Sequence, residues 1–207
     1  IKDWRGIIKG PWIHQNIIDS LTNIKKKKKI TGGNKVHESD GFCAALPYFL
    51  YTRNISKLKD IISLVCTSKI SIKYGLAKFY LLDFALKGIN DPISFFTKKF
   101  KKNIYFKEVI KNINSIKRLR HLNHSAAVKK LGITCRYPGT FNSAVHSIIT
   151  SKNYKLAILK TIRAGGCNCS RSNFIGSYFI ALNGFKNIPF DWINKCKYSN
   201  KIIKYSK

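Results

Sequence analysis

Residues 163–173 read RAGGCNCSRSN, and an apolar segment follows them directly. The paired glycines, Gly165 and Gly166, can adopt positive φ angles or allow another group to approach the backbone closely. Beyond them, apolar side chains recur at helical spacing, namely Phe174, Ile175, Tyr178, Phe179 and Leu182. We therefore predict a polar bend that leads into a buried helix, with Asn168 or Ser170 as the N-cap residue.

The first turn of this helix carries two thiols, a hydroxyl and a guanidinium, from Cys167, Cys169, Ser170 and Arg171. Helix N-termini attract anions and lower the pKa of a thiol. Two readings remain open. The spacing alone favours a capped loop that enters a core helix. The alternative is a ligand-binding turn at which Arg171 and Arg163 pair with a phosphate, since a guanidinium binds phosphate oxygens bidentately.

The composition is that of a globular protein with an extreme charge. The 207 residues suit one domain, and 44% of them are hydrophobic. Lysine and arginine together number 39 against 9 acidic residues, which gives a net charge of +30. Lysine, asparagine and isoleucine are all abundant, which is typical of a drift toward AT-rich codons. The charge is equally compatible with attraction to nucleic acid, an anionic membrane surface or a phosphate-bearing ligand.

The six cysteines lack the regular spacing of a disulfide framework, so we expect an intracellular, reducing compartment (cytoplasm or an organelle). The four outside residues 167–169 lie in apolar or helical surroundings and are predicted to be small core residues. No run of 18 apolar residues and no secretory signal peptide is present. The sequence begins at Ile1 and contains no methionine, so we expect a fragment of a longer protein.

Helical periodicity dominates the chain, and no stretch alternates long enough to predict a sheet. We predict an all-α domain at residues 36–196, preceded by a basic segment at 1–35 and followed by a frayed basic tail at 197–207. Pro47 is expected to kink or break the first helix of the domain. Helices are predicted around residues 13–21, 39–50, 56–67, 70–86, 93–100, 105–119, 123–131, 140–150, 151–162 and 174–183.

Several short motifs occur in one order along residues 36–196. A proline–glycine helix start is followed by a helix that ends in Arg-Ala-Gly-Gly, a polar signature, a helix with small residues and an Ile-Pro-x-x-Trp turn. The sequence resembles the ADP-ribosylglycohydrolase family, and more closely its J-crystallin-like branch. The matching segments are Pro138-Gly139-Thr140-Phe141, Ser143-Ala144-Val145-His146, residues 162–171, Ile175-Gly176, Ile188-Pro189 with Trp192-Ile193, and, more weakly, Ser39-Asp40-Gly41 with Leu46-Pro47.

This resemblance implies a compact orthogonal multi-helix bundle with a hydrolytic site. Family members hold two Mg²⁺ ions between an N-terminal acidic motif and an Asp-x-Asp-Thr signature that follows the glycine pair. The metals and a carboxylate activate water to cleave an ADP-ribosyl glycosidic bond. By resemblance, an ADP-ribose-type ligand or an ADP-ribosylated substrate would contact Gly165, Gly166, Asn168 and Arg171.

The sequence departs from the family at the metal signature. The two aspartates fall on Cys167 and Cys169, and the threonine falls on Ser170. Thiolates are poor ligands for Mg²⁺, which prefers oxygen. No Asp-Asp pair occurs in these residues either. Catalytic residues are therefore not assigned.

Four functional readings remain open. The first is a glycohydrolase-type hydrolase, and the second is a non-catalytic J-crystallin-like structural or binding protein. The third is a Zn²⁺ or redox site at Cys167 and Cys169, although structural zinc needs four ligands. The fourth is a nucleic-acid binder driven by charge, for which no known module is recognisable. His146 could support a site, but on an apolar helix a structural histidine is favoured.

Overall fold

The computed structural model describes residues 13–205, and within that range it contains twelve α-helices. They are α1 (Gln15–Lys25), α2 (Asp40–Thr52), α3 (Leu58–Ser63), α4 (Lys69–Leu86), α5 (Pro92–Lys99), α6 (Lys107–Arg118), α7 (His124–Leu131), α8 (Gly139–Ile149), α9 (Tyr154–Arg163), α10 (Asn168–Asn183), α11 (Phe190–Lys195) and α12 (Ser199–Tyr205). Two 3₁₀ turns lie at Ile104–Phe106 and Phe185–Asn187. Over the same residues the only β-type pairing is two isolated bridges, so the all-α prediction is confirmed.

Helix α4 is the centre of the protein. It packs against α2, α3, α5 and α10. Its apolar residues recur at the helical repeat, as the sequence predicts. Buried residues nevertheless lie around almost the whole helix, and they include Lys78 and Asp83. A helix that is covered on all sides must bury its polar side chains as well, and each then needs a partner inside the protein.

Aromatic rings join α4 to the helices that carry the candidate site. Phe42 of α2 lies 4.8 Å from Phe79 of α4 and 5.9 Å from Phe174 of α10, measured between ring centroids. Phe141 of α8 lies 6.2 Å from Phe174. Such pairs contribute about 0.5–1.5 kcal/mol each beyond the area that they bury. The beginnings of α2, α8 and α10 are thereby fixed relative to one another.

Three sequence expectations require correction. Helix α2 runs through Pro47 without a break, and this proline is exposed. The N-cap residue of α10 is Cys167, not Asn168 or Ser170, because those two side chains bond to other groups of the loop. The tail that we expected to fray contains α12, and three α12 residues line an apolar cavity with Trp192.

Helix α1 lies against the domain that was predicted to begin at residue 36. Ser20 Oγ donates to the Leu64 carbonyl oxygen at 2.8 Å, and Asn16 Nδ2 donates to Asp40 Oδ2 at 3.3 Å. These contacts bring the N-terminal side of α1 to the start of α2. The first twelve residues, including Trp4 and Trp12, lie outside the described range. Among the helices described, none is long and apolar enough to cross a membrane.

Candidate functional site

The double-glycine loop between α9 and α10 packs against the loop that precedes α8. Gly165 and Gly166 have φ angles of 72° and 69°, so both residues are left-handed. A Cβ atom at Gly166 would overlap the carbonyl oxygen of Ile133, whereas one at Gly165 would meet nothing within 4 Å. Cys167 N donates to the same Ile133 oxygen at 2.9 Å. Gly166 is thus required by a close backbone contact, and Gly165 has open space beside it.

Arg171 holds this loop from inside the protein. The residue is fully buried, and its guanidinium donates to the carbonyl oxygens of Gly165 and Ile133 and to Asn168 Oδ1. The distance to Asn168 is 2.9 Å. This geometry favours a positioning role for Arg171 and Asn168 over the phosphate contact that we considered for Arg171. Arg163 is exposed at the end of α9.

The two thiols of the signature lie in different environments. Cys167 is half-buried, and its Sγ lies 3.1 Å from Ser170 Oγ. Cys135, which lies 32 positions earlier in the loop before α8, adjoins Cys167. Cys169 is exposed.

An acidic cluster with one histidine lies beside these sulfur atoms. His14 Nδ1 is 3.1 Å from Glu38 Oε2 and 3.4 Å from Asp40 Oδ1. Cys135 Sγ donates to Glu38 Oε1 at 3.0 Å. His14 is the N-cap residue of α1, and Glu38 pairs with Arg136 in an isolated antiparallel bridge. Four separate segments thus meet at one partly buried point.

The electrostatics of the cluster favour one thiolate. The neighbouring Cys135 and Ser170 side chains lower the pKa of Cys167 to about 5, although burial opposes the shift. The pKa of Cys135 is raised, first by its hydrogen bond to Cys167 and then by burial and Glu38. Burial would lower the pKa of His14, but the hydrogen bond to Glu38 and the charge of Asp40 outweigh it and raise this pKa.

A buried lysine lies behind the cluster. Lys78 Nζ donates to Ser39 Oγ at 2.8 Å and lies 4.6 Å from the ring centroid of Phe42 and 5.0 Å from that of Tyr137. Burial lowers the pKa of Lys78 to about 7. Ser39 is the N-cap residue of α2, but its side chain makes no capping bond. Instead it accepts the hydrogen bonds of Lys78 and Tyr137.

His146 and a basic cavity lie at a separate place. His146 is fully buried, with Nδ1 3.0 Å from His124 Nδ1 and Nε2 3.1 Å from the Leu119 oxygen, as expected for a structural histidine. The adjacent cavity, of about 470 Å³, is lined by Lys160 and Arg163 and by neighbouring basic and polar residues. Arg163 therefore lies away from the contacts that Arg171 makes with the glycine loop.

The residues at the family's metal signature do not fit Mg²⁺. Two of the three positions offer sulfur, and Ser170 Oγ is already bonded to Cys167. A hard ion that needs near-octahedral oxygen coordination gains little from such a set. The carboxylates near this position belong to Glu38 and Asp40, outside the signature. No hydrolytic step through magnesium is derived from these residues.

Three residues of the cluster were not assigned to a site from the sequence. His14 was placed only in an amphipathic segment, Cys135 was predicted to be a small core residue, and Glu38 was not singled out. Cys135 is half-buried at the site, Cys196 is exposed, and of the four predicted core cysteines only Cys66 is fully buried. The one feature of the sequence that could have indicated Glu38 is its position next to Ser39-Asp40-Gly41, the weaker of the segments that match the family.

Comparison with known proteins agrees with the fold. No family model matches the sequence. The chain is 28% identical over 204 residues to Crystallin J1A and 23% identical over 201 residues to Crystallin J1B, both of Tripedalia cystophora. These alignments cover 96% and 95% of this chain but 62% of each relative. The chain therefore spans about three-fifths of the length of the curated relatives that it matches.

A solved structure described as an ADP-ribosylglycohydrolase-related protein complex superposes with a TM-score of 0.68. The superposition covers 91% of this chain and 65% of that chain, at 13% sequence identity. At this level of identity the likeness establishes the fold alone. The chain is thus similar to the J-crystallins and has an ADP-ribosylglycohydrolase-type helical fold, which confirms the predicted resemblance.

Proposed function

We propose that this chain is part of a J-crystallin-like protein that binds an ADP-ribose-type ligand at the double-glycine loop without magnesium-dependent hydrolysis. The observation that carries the proposal is the replacement of the signature carboxylates by Cys167 and Cys169 in an otherwise family-like fold. The Cys167 sulfur lies 3.1 Å from Ser170 Oγ and adjoins the Cys135 thiol, so its environment suits a thiol. Loss of the hard ligands removes the usual basis for activating water.

The loop geometry supports binding of a phosphorylated ligand. The backbone at Gly165 is open on the side where a Cβ atom would lie, so a ligand can approach it. The N-terminus of the 16-residue helix α10 follows at once, and no side chain caps it. A helix N-terminus and glycine backbone together favour a diphosphate. In this proposal Gly165 and Gly166 contact the ligand, while Asn168 and Arg171 hold the loop in shape.

A calorimetric titration with ADP-ribose tests the proposal, with Gly165→Ala as the variant. Gly88 provides a matched control, because its φ angle is 74° and a Cβ atom there also meets nothing within 4 Å. Both substitutions impose the same backbone strain, but only Gly165→Ala adds a methyl group at the ligand face. We expect binding by the parent chain, at least tenfold weaker binding by Gly165→Ala, about 1.4 kcal/mol, and no change in Gly88→Ala.

A purely structural, crystallin-like role is the second candidate. It is favoured by the internal bonding of the loop, since Arg171, Asn168 and Cys167 all direct polar atoms to neighbouring loop groups. This candidate predicts no heat on adding ADP-ribose to a cooperatively folded chain. That outcome, or magnesium-dependent release of ADP-ribose from an ADP-ribosylated substrate, would overturn the binding proposal.

A further inference from the structure

The cluster of His14, Glu38, Cys135 and Cys167 has the composition of a metal site of its own. The ligand atoms of His14, Glu38 and Cys135 all lie within 4.8 Å of one another. Each comes from a different segment, with 24 positions between His14 and Glu38 and 97 between Glu38 and Cys135. Donors this far apart in sequence converge because Asn16 of α1 bonds to Asp40 at the start of α2, and because the Glu38–Arg136 bridge joins the segments before α2 and α8.

A tetrahedral site needs a fourth donor beside this group of three. Cys167, the half-buried N-cap residue of α10, adjoins Cys135 and is the side chain that would supply the fourth donor. A tetrahedral zinc site with bonds of about 2.0–2.3 Å separates its ligand atoms by about 3.3–3.8 Å. The contacts of 3.0 Å between Cys135 and Glu38 and 3.1 Å between His14 and Glu38 are close to this separation. Small side-chain movements would admit a cation.

The charge of the cluster also calls for a cation. Only 9 of the 207 residues are acidic, yet Glu38 and Asp40 lie within reach of the same imidazole. Both carboxylates are largely buried, with 11% of each side chain exposed. Among residues 13–205 the ion pairs recorded for them are with His14, and none of the abundant lysines or arginines is paired with either. A divalent cation would offset two of the three negative charges that the two carboxylates and a thiolate carry.

From this geometry we propose that one divalent cation of the zinc class binds among four side chains: His14, Glu38, Cys135 and Cys167. Two sulfur atoms, one nitrogen and one carboxylate oxygen suit a borderline-soft ion and not Mg²⁺. Asp40 Oδ1, 3.4 Å from His14 Nδ1, adds a further negative charge beside the cation. The ion fastens α1 to the loops before α2, α8 and α10. This role is independent of the proposed ADP-ribose binding.

Cobalt substitution tests the site directly. Reduced, metal-free chain is titrated with Co²⁺, whose thiolate charge-transfer absorption and intense visible bands report tetrahedral sulfur coordination, and then with Zn²⁺ in competition. We expect one equivalent to bind. Cys135→Ser and Cys167→Ser should remove the charge-transfer absorption stepwise and weaken Zn²⁺ binding more than about 100-fold, beyond the effect typical of losing an outer partner.

Cys169→Ser is the matched control, because Cys169 lies two residues from Cys167 on the same helix but is exposed. It should bind both ions as the parent does. Glu38→Gln, which keeps the shape of the side chain, should retain the sulfur charge-transfer absorption but bind more weakly. Equal losses in Cys169→Ser and Cys167→Ser, no stoichiometric binding by the parent chain, or a preference for Mg²⁺ over Zn²⁺ would overturn the proposal. Circular dichroism of each variant establishes that it is folded.

Discussion

Two buried polar side chains bond to neutral groups inside this helical protein and stabilise the segments around them. Lys78 and Arg171 are both fully buried cations, yet neither is paired with a carboxylate among residues 13–205. Lys78 relies on Ser39 and three aromatic rings, and Arg171 relies on carbonyl and amide oxygens. A buried charge with neutral partners is costly, so each position should respond strongly to substitution.

Lys78→Met should reduce the dependence of stability on pH. The folded-state pKa of Lys78 is lowered to about 7 by burial, from 10.5. Between these values the unfolded chain binds more protons, so the contribution of Lys78 to folding becomes more favourable as pH rises from about 7 to 10.5. The difference in free energy of unfolding between parent and Lys78→Met, measured by urea denaturation, should change in that sense. A difference that is constant across the window would contradict this account.

Arg171→Lys should destabilise the protein although it retains the charge. A lysine ammonium cannot reproduce the forked contacts with Gly165, Ile133 and Asn168, and it would leave buried acceptors unpaired. We expect a loss of about 2 kcal/mol in the free energy of unfolding. The exposed Arg163→Lys is the control and should change stability by less than about 0.5 kcal/mol. Similar effects in both variants would count against a positioning role for Arg171.

Among the elements, the contact between the glycine loop and the Ile133 segment fixes the start of α10. Gly165 and Gly166 share nearly the same backbone conformation, but only Gly166 lies against Ile133. Gly165→Ala should therefore cost about 1 kcal/mol from backbone strain, whereas Gly166→Ala should cost about 3 kcal/mol or more because the overlap displaces a backbone segment. Thermal unfolding of the two variants measures the difference. Equal costs would mean that the loops are not in close contact.

The helices were more predictable than their ends and their tertiary partners. Apolar periodicity located α4 and α10 well, because a repeat near 3.6 residues reflects burial directly. The N-cap of α10 was misplaced because Asn168 and Ser170 bond to Arg171 and Cys167, which local propensity cannot reveal. The zinc or redox site considered for Cys167 and Cys169 stays a prediction, and local sequence could not reveal that Cys135 of a distant loop lies beside Cys167. His14 and Glu38 join the site through long-range contacts, such as the bond of Asn16 to Asp40, that sequence periodicity does not predict.

At the scale of the whole molecule, the charge of +30 predicts weak, salt-sensitive attraction to polyanions. We expect binding to a random-sequence DNA duplex at 50 mM salt, with an affinity that falls at least about 100-fold by 200 mM. The affinity falls because the release of condensed counterions from DNA is less favourable at higher salt. Fluorescence anisotropy at several salt concentrations measures the slope. Tight binding that persists at 200 mM would instead indicate a dedicated nucleic-acid surface, while ADP-ribose binding should change far less over the same range.

We propose that this family-like helical fold has kept its ligand-binding loop but has lost magnesium-dependent hydrolysis. The most direct measurement is a calorimetric titration of the chain with ADP-ribose, once in metal-free buffer and once with excess Mg²⁺. We predict the same dissociation constant in both, because the positions that would ligate Mg²⁺ carry Cys167 and Cys169. Binding that occurs only when Mg²⁺ is present would contradict the account.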